Sequence, residues 1–209
     1  MSKHTAKSLF AANILGAEEC VRIHDGVRQL GSTLDLDWLL RSAIVLAVSA
    51  MDAYFHDKVR YRAGRFPLYQ QMELSTQFLP RQLANLKVPL SELPRWEKAK
   101  RKGNVVRHWA VEHYAVRPLQ NPEAIANALN LAGIEDLWNT VEPDKSEGQA
   151  LLDRLRALVK RRNQIAHEGD RLKHRSSGQR LRAIRRGDAV DAIEFVKALV
   201  EKVEHAFPK

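Results

Sequence analysis

Apolar side chains recur every three or four residues through most of the chain, a spacing that predicts helices and not strands. Leu9, Phe10, Ile14, Val21, Ile23 and Val27 set an amphipathic helix over residues 5–30, and Gly31-Ser32-Thr33 breaks it. Thr33 or Asp35 then caps a second helix running from about Asp35 to Arg62. Its middle, Ser42 to Ala53, is apolar nearly all round, the pattern of a helix buried on every side. Gly64-Arg65-Phe66-Pro67 ends it, and Pro67, Pro80, Pro89 and Pro94 break residues 67–95 into short helices and loops. A basic helix follows from Arg95 to about Val116. It carries Trp96, Trp109 and Tyr114 among its cations, either as a core-facing stripe or as a surface that stacks RNA bases. Asn121-Pro122-Glu123 starts another helix that Gly133 stops, and residues 134–141 form a short one. Pro143-Asp144-Lys145-Ser146 opens a long helix that stops at Gly169. A last helix starts at Gly187-Asp188 and carries Val190, Ile193, Phe195, Val196, Leu199, Val200 and Val203. No internal repeat and no sustained period-two alternation is present, so the fold class is all-α: a helical bundle.

The long helix ending at Gly169 holds the densest chemistry. Leu151, Leu152, Leu155, Leu158 and Val159 form its apolar stripe, which Ile165 and Ala166 continue. Its last turns read Arg161-Arg162-Asn163-Gln164-Ile165-Ala166-His167-Glu168-Gly169-Asp170. Asn163 and His167, four residues apart, share a face. Arg162 lies about 140° from His167 at roughly 100° per residue, but its long side chain can swing toward the same end. A helix C-terminus gathers partial negative charge, a setting suited to cationic side chains. A guanidinium, an amide and an imidazole at one helix end suit phosphate binding and proton transfer.

Arg162-Asn163 followed by His167 resembles the Arg-x4–6-His signature of the HEPN superfamily. The longer string Arg162-Asn163-Gln164-Ile165-Ala166-His167-Glu168-Gly169-Asp170 resembles one branch, the RiboL-PSP-HEPN family. A second stretch, Arg41 to Asp57, resembles the early helix of that branch. The resemblance implies a single HEPN-like domain over 1–209, with a helical insert over about 65–140 between the early helices and the motif helix. It also implies a metal-independent endoribonuclease that works as a homodimer with one composite site. RNA carries its own nucleophile, the 2′-hydroxyl, and the expected products are a 2′,3′-cyclic phosphate and a 5′-hydroxyl. In that reading His167 is the acid or base, Arg162 clamps the phosphoryl charge and Asn163 orients one of them or the phosphate. The superfamily also implies a second class of function: a non-catalytic RNA- or nucleotide-binding module, or a partner of a nucleotidyltransferase. A toxin or antiviral-defence role, with an antitoxin as partner, is implied only at family level.

Asp52 lies inside the apolar helix, where a carboxylate needs a partner. Two readings stand: Asp52 pairs with Arg162 and supports it, or it pairs locally with His56 or Lys58. The net charge of +9 implies an anionic partner, nucleic acid first. The candidate RNA-binding cations are Arg161 and a basic loop over 171–186: Arg171, Lys173, Arg175, Arg180, Arg182, Arg185 and Arg186. Ser176-Ser177-Gly178 softens its tip. The one cysteine, Cys20, permits no intrachain disulfide and reads as a small buried residue, which fits a cytoplasmic location. The longest apolar run, Ala43 to Met51, is too short to span a bilayer. His108 and His113 lack the i, i+4 spacing of a helical zinc pair, no Cys pair accompanies them, and no Gly-rich phosphate loop is present. The expected reaction therefore calls on no metal and no cofactor.

Overall fold

Thr5 starts the first helix by a reciprocal cap: its hydroxyl accepts from the Ser8 amide at 3.1 Å, and the Ser8 hydroxyl accepts from the Thr5 amide at 2.8 Å. The computed structural model describes residues 5–62, 117–131, 134–172 and 180–207, with isolated positions 94, 98 and 112. Among them the elements are α1 (Ala6–Gln29), α2 (Asp37–Arg62), α3 (Pro122–Leu131), α4 (Leu137–Val141), α5 (Lys145–Glu168) and α6 (Arg186–Ala206). Asp35, not Thr33, opens α2, because its carboxylate accepts the Asp37 amide at 3.0 Å. The basic helix expected over 95–116 and the broken stretch before it lie outside the described residues.

The fold is an all-α bundle. α2 is its axis and packs against α1, α3, α5 and α6. Ala43, Ile44, Ala47, Val48, Ala50 and Met51 are buried, but Ser42 and Leu46 are exposed, so the helix is central without being covered on every side. The window Asp37–Tyr61 is long and apolar enough to cross a membrane, but 56% of it is buried inside the bundle, where its apolarity is already used. Tyr54 stacks edge-on with Phe10 and Phe55 at 5.8 and 5.1 Å. Its hydroxyl and the Lys58 ammonium each donate to Glu204 at 2.7 Å, tying α2 to α6.

Two further expectations needed correction. On α1 the core face carries Phe10, Ile14, Ala17, Val21 and His24, while Ile23 is 44% exposed; the stripe that meets α2 turns past Ile23. Residues 119–141, expected within the insert, are also part of the core. Leu119, Ile125, Ala128, Leu129, Ile134, Leu137 and Val141 are all buried in the same apolar cluster as α2. Their helices dock because each presents a three-to-four-residue apolar stripe to the face of α2, α5 or α6.

Candidate active site

α5 is fixed at both ends by its own sequence. The Asp144 carboxylate accepts the Ser146 and Glu147 amides at 2.8 and 2.9 Å. At the other end Gly169 adopts the left-handed conformation at φ 59°, and the Asp170 amide closes on the Gln164 carbonyl at 2.9 Å. Asp170 is itself left-handed, also at φ 59°. That second turn drives its carboxylate inward.

Asp170 is 0% exposed. It accepts from Arg41 Nε of α2 at 2.8 Å and from Arg161 Nη2 of α5 at 2.9 Å, with Arg161 Nη1 also in contact. Arg41, 2% exposed, donates its Nη2 to the Arg182 carbonyl at 2.7 Å and lies 5.2 Å from the Trp38 ring. The Arg182 amide returns to the Asp170 carbonyl at 2.8 Å, and the Leu172 amide meets the Arg180 carbonyl at 3.0 Å. Arg171 and Leu181 form an antiparallel bridge. One buried carboxylate thus joins α2, α5 and the base of the basic loop, where Arg171 and Leu181 pair.

This network reassigns Arg161. Expected to hold RNA, it is engaged by Asp170, and a guanidinium in that bond is not free for a phosphate. Arg186 lies on α6 and pairs through Nε with both Asp25 oxygens, at 2.9 and 2.8 Å. Hydrogen bonds from His24 first and Arg186 second hold the Asp25 carboxyl below its usual range. Arg171, Arg180 and Arg185 are exposed at the base of the loop; Arg182 is half-buried, and Lys173 and Arg175 lie outside the described residues.

The motif side chains sit on the other side of α5. Arg162 Nη1 donates to Asn163 Oδ1, on its sequence neighbour, at 3.1 Å. Its Nε is buried with no hydrogen-bond partner among the described residues. His167 is exposed one turn beyond Asn163, with no ion pair or hydrogen bond among the described residues. Asp52 does not meet Arg162. It accepts the Leu119 amide at 2.6 Å and the Gln120 side-chain amide at 3.3 Å, with His56 Nε2 at 3.6 Å. The local reading with His56 therefore holds in part, and the main partner is a backbone turn 67 residues away. Lys58, the other local candidate, is taken by Glu204.

Beside Asn163 the surface opens into a cleft of about 310 Å³, with Val159 at its base and Asn121, Lys160, Gln164 and Glu168 around it. Taking roughly 100° per residue, Lys160, Asn163, Gln164 and His167 fall within about 100° of one another, so the cleft and the imidazole share a face. The sequence reading missed this cleft, although the polar stripe ran through the motif itself. It also missed Arg41 and Asp170 as partners; a lone arginine in an apolar helix and a lone aspartate in a basic stretch were the available signals. Among the described residues no group of three or more His, Cys, Asp or Glu is placed to hold a metal.

No curated protein and no solved structure matches the chain. The family model described as RiboL-PSP-HEPN matches residues 17–207, from within α1 through the whole of α5 and α6. That span takes in Arg41, the motif and Asp170 together, and the chain belongs to the RiboL-PSP-HEPN family, a HEPN-type family.

Proposed function

We propose that this protein is an endoribonuclease that cleaves RNA by attack of the substrate's own 2′-hydroxyl, without a metal ion. The observation that carries the reading is the contact of Arg162 with Asn163 one turn before an exposed His167. The imidazole takes the proton from the 2′-hydroxyl, whose oxygen attacks the adjacent phosphorus. As the 2′-oxygen–phosphorus bond forms, the bond to the 5′-oxygen breaks, and a second proton donor protonates the leaving oxygen. The products are a 2′,3′-cyclic phosphate and a 5′-hydroxyl. Arg162 neutralises charge on the non-bridging oxygens in the transition state, and Asn163 fixes the guanidinium that does so. Asp52 acts at a distance, holding the turn at Leu119 and Gln120.

Incubating a mixed RNA pool with the protein in EDTA tests this. Cyclic-phosphate ends should accumulate with wild type and fall by at least about a hundredfold with His167→Ala, the usual scale for losing an acid–base group. A folded His167→Ala protein that cleaves undiminished removes His167 from the reaction. RNA binding with no cleavage under any condition favours the other HEPN role, a non-catalytic RNA- or nucleotide-binding module.

A further inference from the structure

The cleft beside Asn163 has a chemistry of its own. Its volume of about 310 Å³ lies at the small end for ligand sites, enough for one planar ring system. Val159, 3% exposed, gives it an apolar floor. The side-chain amides of Asn121 and Gln164 each offer a donor pair and an acceptor, the set that pairs with a base edge. Glu168 lies in the same cleft. Arg156 also lines the cleft, but its charge is met by Glu123 and Asp153, so the polar groups facing a ligand beside the motif are chiefly the Asn121 and Gln164 amides, which suit a neutral polar ring. Lys160 stands beside it, placed for the backbone that such a ring would hang from.

Its walls are tied to the neighbouring elements by hydrogen bonds and ion pairs. Asp52 pins the Leu119 amide and the Gln120 side chain, and Asn121 follows directly. Arg156 pairs with Glu123 at 2.6 Å and with Asp153 at 3.1 Å, so α3 and α5 are joined at the opposite end of the cleft. Glu123 is drawn below the usual carboxylate range first by its hydrogen bond from Arg156.

From this geometry we infer that the cleft seats one unpaired nucleobase of a single-stranded RNA, with Gln164 and Asn121 reading its edge next to the scissile phosphate. The inference rests on the proposed ribonuclease reading for the position of that phosphate. The base subsite itself is testable without any cleavage.

Short 2′-fluoro homopolymers of A, C, G and U lack the attacking hydroxyl, so they report binding alone. Fluorescence anisotropy would compare them on wild type, Gln164→Ala and Asn121→Ala, with melting curves to confirm folding. Wild type should prefer one base by about tenfold or more, and each variant should lose most of that preference while keeping the affinity common to all four. Equal binding of the four by wild type, no binding at all, or a preference that survives in both variants overturns the base subsite. Unchanged base preference with loss of a dimer in light scattering would overturn it too, and assign the cleft to a protein interface. A base preference that depends on Gln164 and Asn121, in a protein that never cleaves RNA, would keep the subsite and sink the ribonuclease reading.

Discussion

Asp170 is buried between two guanidiniums, so removing its charge leaves Arg41 buried without its main counter-ion. Arg41 is 2% exposed and cannot recover solvent without opening the bundle. Breaking a buried ion pair by removing one member costs about 3–5 kcal/mol. Asp170→Asn isolates this effect, since asparagine has nearly the same shape and tolerates the left-handed backbone at φ 59°. Urea unfolding should give a loss of that size with the slope unchanged. A loss below about 1 kcal/mol would mean that Arg41 and Arg161 find other acceptors. The pairing was not readable in the sequence, because Arg41 and Asp170 are 129 positions apart, although each stood out in its own stretch as a charge that needs a partner. The shared face of Asn163 and His167 was readable, because four-residue spacing on one helix is a local geometry. Asp52 fell between the two cases. Its need for a partner followed from the apolar surroundings, but the partner is a backbone amide, which no side-chain pattern marks.

At the scale of elements, α1, α2, α5 and α6 were legible to within a few residues, since long amphipathic stripes and strong caps coincide there. The last helix begins one residue early because the Asp188 carboxylate reaches back to the Arg185 amide at 2.7 Å. The pairing of Arg171 with Leu181 was not legible, since a single bridge leaves no alternation to detect. The basic loop carries its own prediction. Arg171, Arg180 and Arg185 are exposed, unlike Arg161. Changing all three to glutamine should weaken RNA binding and lower the salt slope by about 2, at about 0.7 for each lost contact with a single strand. The cleavage rate at saturating RNA should change little. Binding that keeps its full salt slope in the triple variant would assign the phosphate grip to other cations.

For the molecule as a whole, the proposed reaction needs one proton removed and another supplied, and each chain offers one His167. A two-fold axis beside α5 would bring the two copies together, since an isologous contact sets a residue near its own twin. The net charge of +9 per chain opposes that contact and favours it once a polyanion lies between the copies. Co-refolding wild type with His167→Ala at fixed total concentration discriminates the cases. Activity should fall as the square of the wild-type fraction when both imidazoles are needed. A linear fall, with exchange of subunits confirmed, would mean that each chain works alone.

The junction at Asp170 also bears on how any genetic map of this protein would read. A cell degrades a protein in proportion to the time it spends unfolded, and 1–2 kcal/mol is enough to change abundance several-fold. Substitutions at Asp170 would therefore silence the protein by depleting it and, on the proposed reaction, substitutions at His167 by disarming it. The two kinds of loss lie within one turn of helix of each other in the sequence, and only the steady-state level of the protein tells them apart.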